Sequence, residues 1–332
     1  MFHEKITAIR PKGQVPEKFL SLMQNCYENF RDVVFENETQ WNRYETLFCH
    51  YLDFVERQFV EPFVFEPYHR KIKEPFDYEE FSIAFLRPLI IFEQSQILGK
   101  DNIQKIEEAL KCHENVILLA NHQVEPDPQI LNLMLEKDHP FLAKEMIFVA
   151  GDRVVTDPMA VPSSMGCHLI CIYSKKHIEN PPELKEEKLK HNQRTMKILS
   201  QLLSEGGKCI YVAPSGGRDR PGPSGDVEVA RFNPQSIEML RLMAQNAKQP
   251  THFYPLALNT YEILPPPDHV DIELGEERRS KRAAVDIGFG EEIDMENFPG
   301  SDILDRKKRR QNRADHIWGL VKQLYRSFRS GD

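Results

Sequence analysis

No apolar run in the chain reaches the roughly 20 residues that a membrane-spanning helix needs. The nearest approach, FSIAFLRPLIIF at 81–92, is too short and carries Arg87. It reads first as a buried strand, with an inter-domain segment or a membrane-skimming edge as alternatives. The amino-terminal stretch MFHEKITAIRPKGQ has no apolar signal core. Nor is it the Arg- and Ser-rich, acid-poor segment of an organelle transit peptide. The chain is therefore expected in the cytosol, or in already processed form. Cysteine is sparse: Cys26, Cys49, Cys112, Cys167, Cys171 and Cys209 are scattered, with no CxxC pair. That spacing speaks against a disulfide framework and against zinc, so the thiols are read as reduced and mostly in the core. A formal charge of −8 argues against a general nucleic-acid binder, which needs a local excess of Lys and Arg. No GxxxxGK[ST] precedes a helix, so there is no nucleotide P-loop. No internal repeat or low-complexity tract is present.

What remains is a chain of 332 residues, 40% hydrophobic and 28% charged. This is the balance of a water-soluble protein long enough for one large domain and a smaller one. The first part is patterned for helix. Phe19, Met23, Cys26, Phe30 and Val33 recur at spacings of three and four. So do Trp41, Tyr44, Phe48, Leu52, Val55 and Phe59. Each set makes one apolar helix face. Two such helices cannot bury their faces alone, which points to a small helical bundle. The Pro-rich stretch VEPFVFEPYHRKIKEPFDY ends it, so the expected domains are 1–80, helical, and 81–332. In the second, short apolar runs at 115–120, 146–150, 168–173, 208–213 and 252–258 alternate with helical patterns at 128–137, 186–205 and 234–247. Strand, helix, strand is the order of an α/β fold with a largely parallel sheet. HVDIELGE and AVDIGFGEE follow with little helix between them, so some late pairing is expected to be antiparallel.

Sites in such sheets collect where strands end, and four strand-end loops here are rich in chemistry. NHQVEPDP (121–128) sets His122 five positions before Asp127. Asp127 before Pro128 suits a helix start, with the aspartate as cap. The same carboxylate could instead orient the imidazole of His122, leaving its second nitrogen to take a proton from an alcohol. APSGGRDRP (213–221) places Gly216 and Gly217 before Arg218 and Arg220. Two guanidiniums two residues apart lie on one side of an extended segment and would clamp a phosphate. The plainer reading is a surface loop in which Asp219 neutralises the arginines. YSKKH adds Lys175, Lys176 and His177, and GDRVVTDP adds Arg153. Each alone is an ordinary turn. Together they place a base beside a cluster of cations, which suits an alcohol substrate bearing a phosphate.

NHQVEPDP, MIFVAGDRV, ICIYSKKH, APSGGRDRP and FYPLAL with LPPP, in this order, closely resemble the soluble glycerol-3-phosphate acyltransferases of plant plastids and of some bacteria, including chlamydial ones. The resemblance runs from about residue 80 to 290. It implies a helical domain beside a larger α/β domain, and acyl transfer from acyl-(acyl carrier protein) or acyl-CoA to the sn-1 hydroxyl of sn-glycerol 3-phosphate. It implies His122 as general base, Asp127 as its orienting partner, and Lys176, His177, Arg218 and Arg220 as phosphate ligands. Arg153, Ser215, Gly216 and Gly217 are candidates for support. Membrane-bound relatives carry a Pro-Glu-Gly-Thr-Arg loop where this chain has PSGGR, with Ser215 and Gly217 in the Glu and Thr places. That difference favours the soluble branch and removes any role for the glutamate. No metal or cofactor is implied. A monomer in the plastid stroma or a bacterial cytoplasm is expected.

The mechanism expected is direct transfer in a ternary complex. Ser215 is a nucleophile by composition only, since no base stands beside it in sequence. Three rivals are an acyltransferase acting on 1-acylglycerol 3-phosphate, a phosphate-ester hydrolase using the same cations, and a non-catalytic phospholipid or carrier-protein binding module. The basic run RKKRRQNR (306–313) reads as a solvated helix face, or as a dock for acidic acyl carrier protein or an anionic membrane surface.

Overall fold

The two periodic stretches near the amino terminus form helices in the computed structural model, which describes residues 1–174, 178–267 and 274–328. Helix α1 (Phe2–Ile9) precedes α2 (Glu17–Val34) and α3 (Glu38–Val60). The Asn37 side chain accepts the amide of Gln40 at 3.0 Å and so starts α3, satisfying a donor that the helix cannot. The buried stripe of α2 runs Phe19, Met23, Cys26, Phe30 and Val34 rather than Val33. Phe2 stacks on Tyr27 with centroids 4.3 Å apart, and Trp41 Nε1 donates to the Tyr27 hydroxyl at 3.2 Å.

The stretch 81–92 is not a strand. It forms α4 (Tyr78–Leu86) and a 3₁₀ turn at Arg87–Leu89. The Asp77 carboxylate accepts the Glu80 amide at 2.9 Å, and Pro88, two residues past the helix end at Leu86, cannot continue it. The segment is apolar on most sides because it packs on both flanks. Phe85 sits edge-on to Phe48 and Phe30, while Arg87 pairs with Glu136 at 3.0 Å. Continuous apolarity cannot distinguish a doubly covered helix from a buried strand.

The remaining helices are α5 (Lys100–Lys111), α6 (Asp127–Leu135), α7 (Pro140–Glu145), α8 (Val161–Ser164), α9 (Lys185–Glu205), α10 (Pro234–Asn246) and α11 (Arg306–Ser327). The strands are β1 (Tyr68–His69), β2 (Gln96–Leu98), β3 (Asn115–Ala120), β4 (Met146–Gly151), β5 (His168–Ile172), β6 (Cys209–Val212), β7 (Arg220–Pro221), β8 (Val227–Glu228), β9 (Thr251–Asn259) and β10 (Asp286–Phe289). Eight strands form one sheet in the order β1-β5-β4-β6-β3-β9-β10-β2, and β7 with β8 makes a separate ribbon. From β5 to β9 the neighbours are parallel. The expected mixed, largely parallel sheet is therefore present, including its late antiparallel pair, β10 on β9. HVDIELGE lies mostly outside the described residues.

Every residue of β3 is buried. Val116, Leu118 and Ala120 join the core that holds α6, while Ile117 and Leu119 join the core that holds α9, α10 and α11. The chain leaves β3 for α6 on one face and leaves the neighbouring β6 for α10 on the other. Adjacent parallel strands whose connections diverge open a crevice at their carboxyl ends, and the chemistry-bearing loops surround it. Cys26, Cys167, Cys171 and Cys209 are buried, Cys49 is partly covered and Cys112 is exposed, all as free thiols. Among the described residues no helix is long and apolar enough to cross a membrane.

At the opposite end of the sheet, His252 bridges two carboxylates, with Nδ1 2.7 Å from Glu292 and Nε2 2.8 Å from Glu114. Only an imidazolium can donate from both nitrogens. Burial opposes that charge, but the hydrogen bonds to Glu292 and Glu114 outweigh it, and the His252 pKa is raised. A raised folded-state value means that the stabilisation is complete below the unfolded value of roughly 6.5 and is lost as pH rises through the folded one. Urea midpoints are expected to fall as pH rises above roughly 6.5, and His252→Gln is expected to flatten that slope. An equally steep slope in the variant would remove the assignment.

Candidate active site

His122 lies on the loop between β3 and α6 and Asp127 is the first residue of α6, at the crevice. His122 Nδ1 stands 2.8 Å from Asp127 Oδ2. Asp127 is fully buried, and its carboxylate is saturated. Oδ2 also accepts the amides of Gln123 at 2.9 Å and Val124 at 3.4 Å, and Oδ1 accepts the Thr260 hydroxyl at 2.6 Å. Asp127 is therefore not the helix cap. Pro126 occupies that position, and α6 has no side-chain cap. The backbone amides that the carboxylate holds belong to the turn before the helix, which it folds around itself. Because an ionised carboxylate only accepts, Nδ1 carries the hydrogen and Nε2 is left as the basic nitrogen. The His122 side chain keeps 27% of its exposure, so the ring is reachable while its partner is not.

The loop is stapled to the strand ends beside it. Asn121 donates to Leu258 O at 2.9 Å and to Asp219 at 2.8 Å, and accepts from Leu258 N at 2.8 Å. Gln123 Oε1 accepts the amides of Thr260 and Tyr261 at 2.7 and 3.0 Å, while its Nε2 donates to Asp219 at 3.2 Å. The Tyr211 hydroxyl donates to Asn121 O at 2.7 Å. Asp219, read from sequence as a surface neutraliser of arginines, is instead fully buried under the His122 loop. Its amide donates to His122 O at 2.6 Å, and its Oδ1 accepts the Ala230 amide at 2.9 Å. Burial pushes its carboxyl up to about 6, against the pull of these hydrogen bonds.

Two of the expected cations, Arg153 and Arg218, meet at Glu276. Arg218 Nη2 lies 2.6 Å from Glu276 Oε2, and Arg153 Nη2 lies 3.2 Å from Oε1, an ion pair rather than an aligned hydrogen bond. Arg220 opens the short strand β7 and is half-buried. Lys175, Lys176 and His177 lie outside the described residues. Gly216 has φ +67 with nothing within 4 Å of a would-be Cβ, so the turn needs glycine for its backbone rather than for space. Gly217 is exposed beside it. The Ser215 hydroxyl donates to Gly217 O at 2.9 Å.

Four contributors were not legible as site residues. Thr260 and Gln123 are ordinary polar residues until the ends of β3 and β9 meet. Glu276 and Arg278 sit in EERRSKR, which looks like a solvated charge run. Yet Arg278 is largely buried, with Nη2 3.1 and 2.9 Å from the two oxygens of Glu125, inside the NHQVEPDP loop. Burial opposes its charge, but the Glu125 carboxylate, with Asp157 3.7 Å away, holds the guanidinium firmly protonated. The later run, 306–313, is partly structural. Arg313 pairs with buried Glu238 and donates through Nε to Met295 O at 2.8 Å. Arg310 is 3.7 Å from the same glutamate. The chain at Ile293 joins Phe253 near the amino end of β9, and Asp315 of α11 pairs with Arg231 at 3.3 Å. No group of three His, Cys, Asp or Glu among the described residues is placed to hold a metal.

A family model described as Acyltransferase matches residues 95–259. Over 325 residues the chain is 39% identical to the chloroplastic glycerol-3-phosphate acyltransferase of Arabidopsis thaliana, covering 96% of this chain and 70% of the relative. The chain belongs to the glycerol-3-phosphate acyltransferase family. It is 41% identical over 290 residues to a chloroplastic member from Cucurbita moschata, covering 86% of this chain and 63% of the relative. With the Spinacia oleracea member it shares 39% over 288 residues, 85% of this chain and 60% of the relative. The chain thus spans less than two thirds of the length of these last two relatives. The matched interval holds the loops after β3, β4 and β6 and ends before Glu276 and Arg278.

Thr260→Val removes the hydroxyl that satisfies Asp127 Oδ1 and leaves a buried carboxylate oxygen short of a donor. A loss of about 1–3 kcal/mol is expected in chemical denaturation, the cost of an unmet buried acceptor. Unchanged stability would show that Asp127 does not depend on this bond.

Proposed function

We propose that this protein transfers a fatty acyl group from a thioester to the sn-1 hydroxyl of sn-glycerol 3-phosphate, giving 1-acyl-sn-glycerol 3-phosphate. The donor is acyl-(acyl carrier protein) or acyl-CoA. The observation that carries the reading is the His122 ring held 2.8 Å from a buried, fully hydrogen-bonded Asp127 carboxylate. Such a pair is a base set in one tautomer and ready to become an imidazolium. Family membership supplies the acceptor, and the relatives named as chloroplastic support a plastid stroma; the bacterial cytoplasm is the alternative compartment.

In this reading Arg218 and Arg220, with Lys176 and His177, take the phosphate, supported by Arg153. The bound acceptor then lies with its sn-1 hydroxyl at Nε2 of His122. Holding reactants in place removes up to roughly 7–11 kcal/mol of barrier in well-aligned cases. His122 accepts the hydroxyl proton as the oxygen attacks the thioester carbonyl. The C–O ester bond forms, the C–S bond breaks, and the proton passes to the departing thiolate. Asp127 stabilises the imidazolium between those steps. No acyl-enzyme is invoked, because Ser215 Oγ donates to a carbonyl rather than to an imidazole.

His122→Ala is expected to lower transfer by at least about 10³-fold while calorimetry still registers glycerol 3-phosphate binding. Turnover near wild type would remove the base assignment. Arg218→Ala is expected to raise KM for glycerol 3-phosphate about tenfold or more with a smaller change in kcat, since it removes a contact made in both ground and transition states. Assays with 1-acylglycerol 3-phosphate as acceptor, and for phosphate release without thioester, separate the two enzymic rivals.

A further inference from the structure

The reading above leaves Glu276 unexplained, because a carboxylate is an unexpected neighbour for a phosphate seat. It is 7% exposed, yet it contacts two arginines from different loops, Arg153 after β4 and Arg218 after β6. β4 and β6 are adjacent parallel strands, so their loops meet side by side over the sheet. Two guanidiniums brought together there repel one another, and a carboxylate between them cancels that repulsion. Each arginine meets Glu276 through Nη2, and a guanidinium carries five N–H donors in a fixed fork. One nitrogen per arginine therefore fixes its orientation while the group as a whole remains positive.

The carboxylate is not placed to swing away. The Gly275 amide donates to Asp157 Oδ2 at 2.9 Å, and Gly275 has φ +87 with Phe19 3.0 Å from a would-be Cβ. Glu276 O accepts Arg278 Nη1 at 3.0 Å, and Arg278 in turn grips both oxygens of Glu125. One short segment thus reaches the cation loops through Glu276 and the His122 loop through Arg278.

Resting on the proposed acceptor, we propose that Glu276 is the positioning residue of the phosphate clamp, and that Arg153 is one of the clamp's arms, set beside Arg218 by this shared carboxylate. Glu276 does not touch the phosphate. It orders the two guanidiniums in advance, so that the phosphate meets an assembled site, and the reduction in ordering cost appears as affinity.

Glu276→Gln keeps the side chain's size but removes the charge that unites the arginines. It is expected to raise KM for glycerol 3-phosphate about tenfold, with kcat changed less than about twofold. Arg153→Gln is expected to do the same, and the double variant to lose no more than either single one. Glu276→Asp is expected to recover part of the loss. In parallel, calorimetry on His122→Ala with and without Glu276→Gln measures affinity for glycerol 3-phosphate and for inorganic phosphate, with no turnover involved; both should weaken. An unchanged KM, or a lower one that marks Glu276 as a competitor for the arginines, overturns the proposal. So does Arg153→Gln without effect, which decides the matter even if the glutamate variants do not fold. If wild-type protein transfers nothing to glycerol 3-phosphate but phosphate affinity still falls with Glu276→Gln, the acceptor reading fails and the clamp stands.

Discussion

A single buried carboxylate organises this site. Asp127 has no exposure and accepts from an imidazole, two backbone amides and a hydroxyl. An ionised group removed from water is tolerable only when its oxygens are satisfied in this way. Meeting that requirement dictates the loop. The turn at Gln123 and Val124 must wrap back onto the carboxylate, β9 must end where Thr260 can reach it, and His122 must present Nδ1. Removing the carboxylate would lose the ring's orientation and the turn together.

The rest of the polar scaffold answers the same need one layer out. Asn121, Gln123, Asp219 and Tyr211 tie the loops after β3 and β6 to the end of β9. Each bond satisfies a buried group while fixing backbone at the crevice. The divergence of the chain from β3 and β6 to opposite faces creates the opening, and the staples keep its walls from collapsing. A rigid rim of this kind suits chemistry that depends on placing one hydroxyl beside one nitrogen.

Charge is handled by burial in pairs. Arg278 with Glu125, and Glu276 with Arg153 and Arg218, put ionised groups under or beside the site, where any member alone would carry a large desolvation penalty. Arg313 with Glu238 does the same for α11, which turns part of a run of surface-looking cations into an anchor. Sequence composition treats all these residues as solvent-facing, since nothing local distinguishes a charge with a distant partner from a charge in water.

The amphipathic helices at 17–34 and 38–60, the five parallel strands and the antiparallel β10 were legible because their signals are local. Side-chain periodicity and short apolar runs depend only on neighbouring residues. His122 and Asp127 were legible as candidates for the same reason, being five positions apart where β3 hands over to α6. The segment 81–92 was not, because a helix covered on both flanks loses its periodicity. What Asp127 does with its oxygens, the burial of Asp219, and the roles of Thr260, Glu276 and Arg278 were decided by the tertiary structure alone. Their partners stand as far as 153 positions away in sequence, and such contacts exist only once the order of strands in the sheet has brought the loops together.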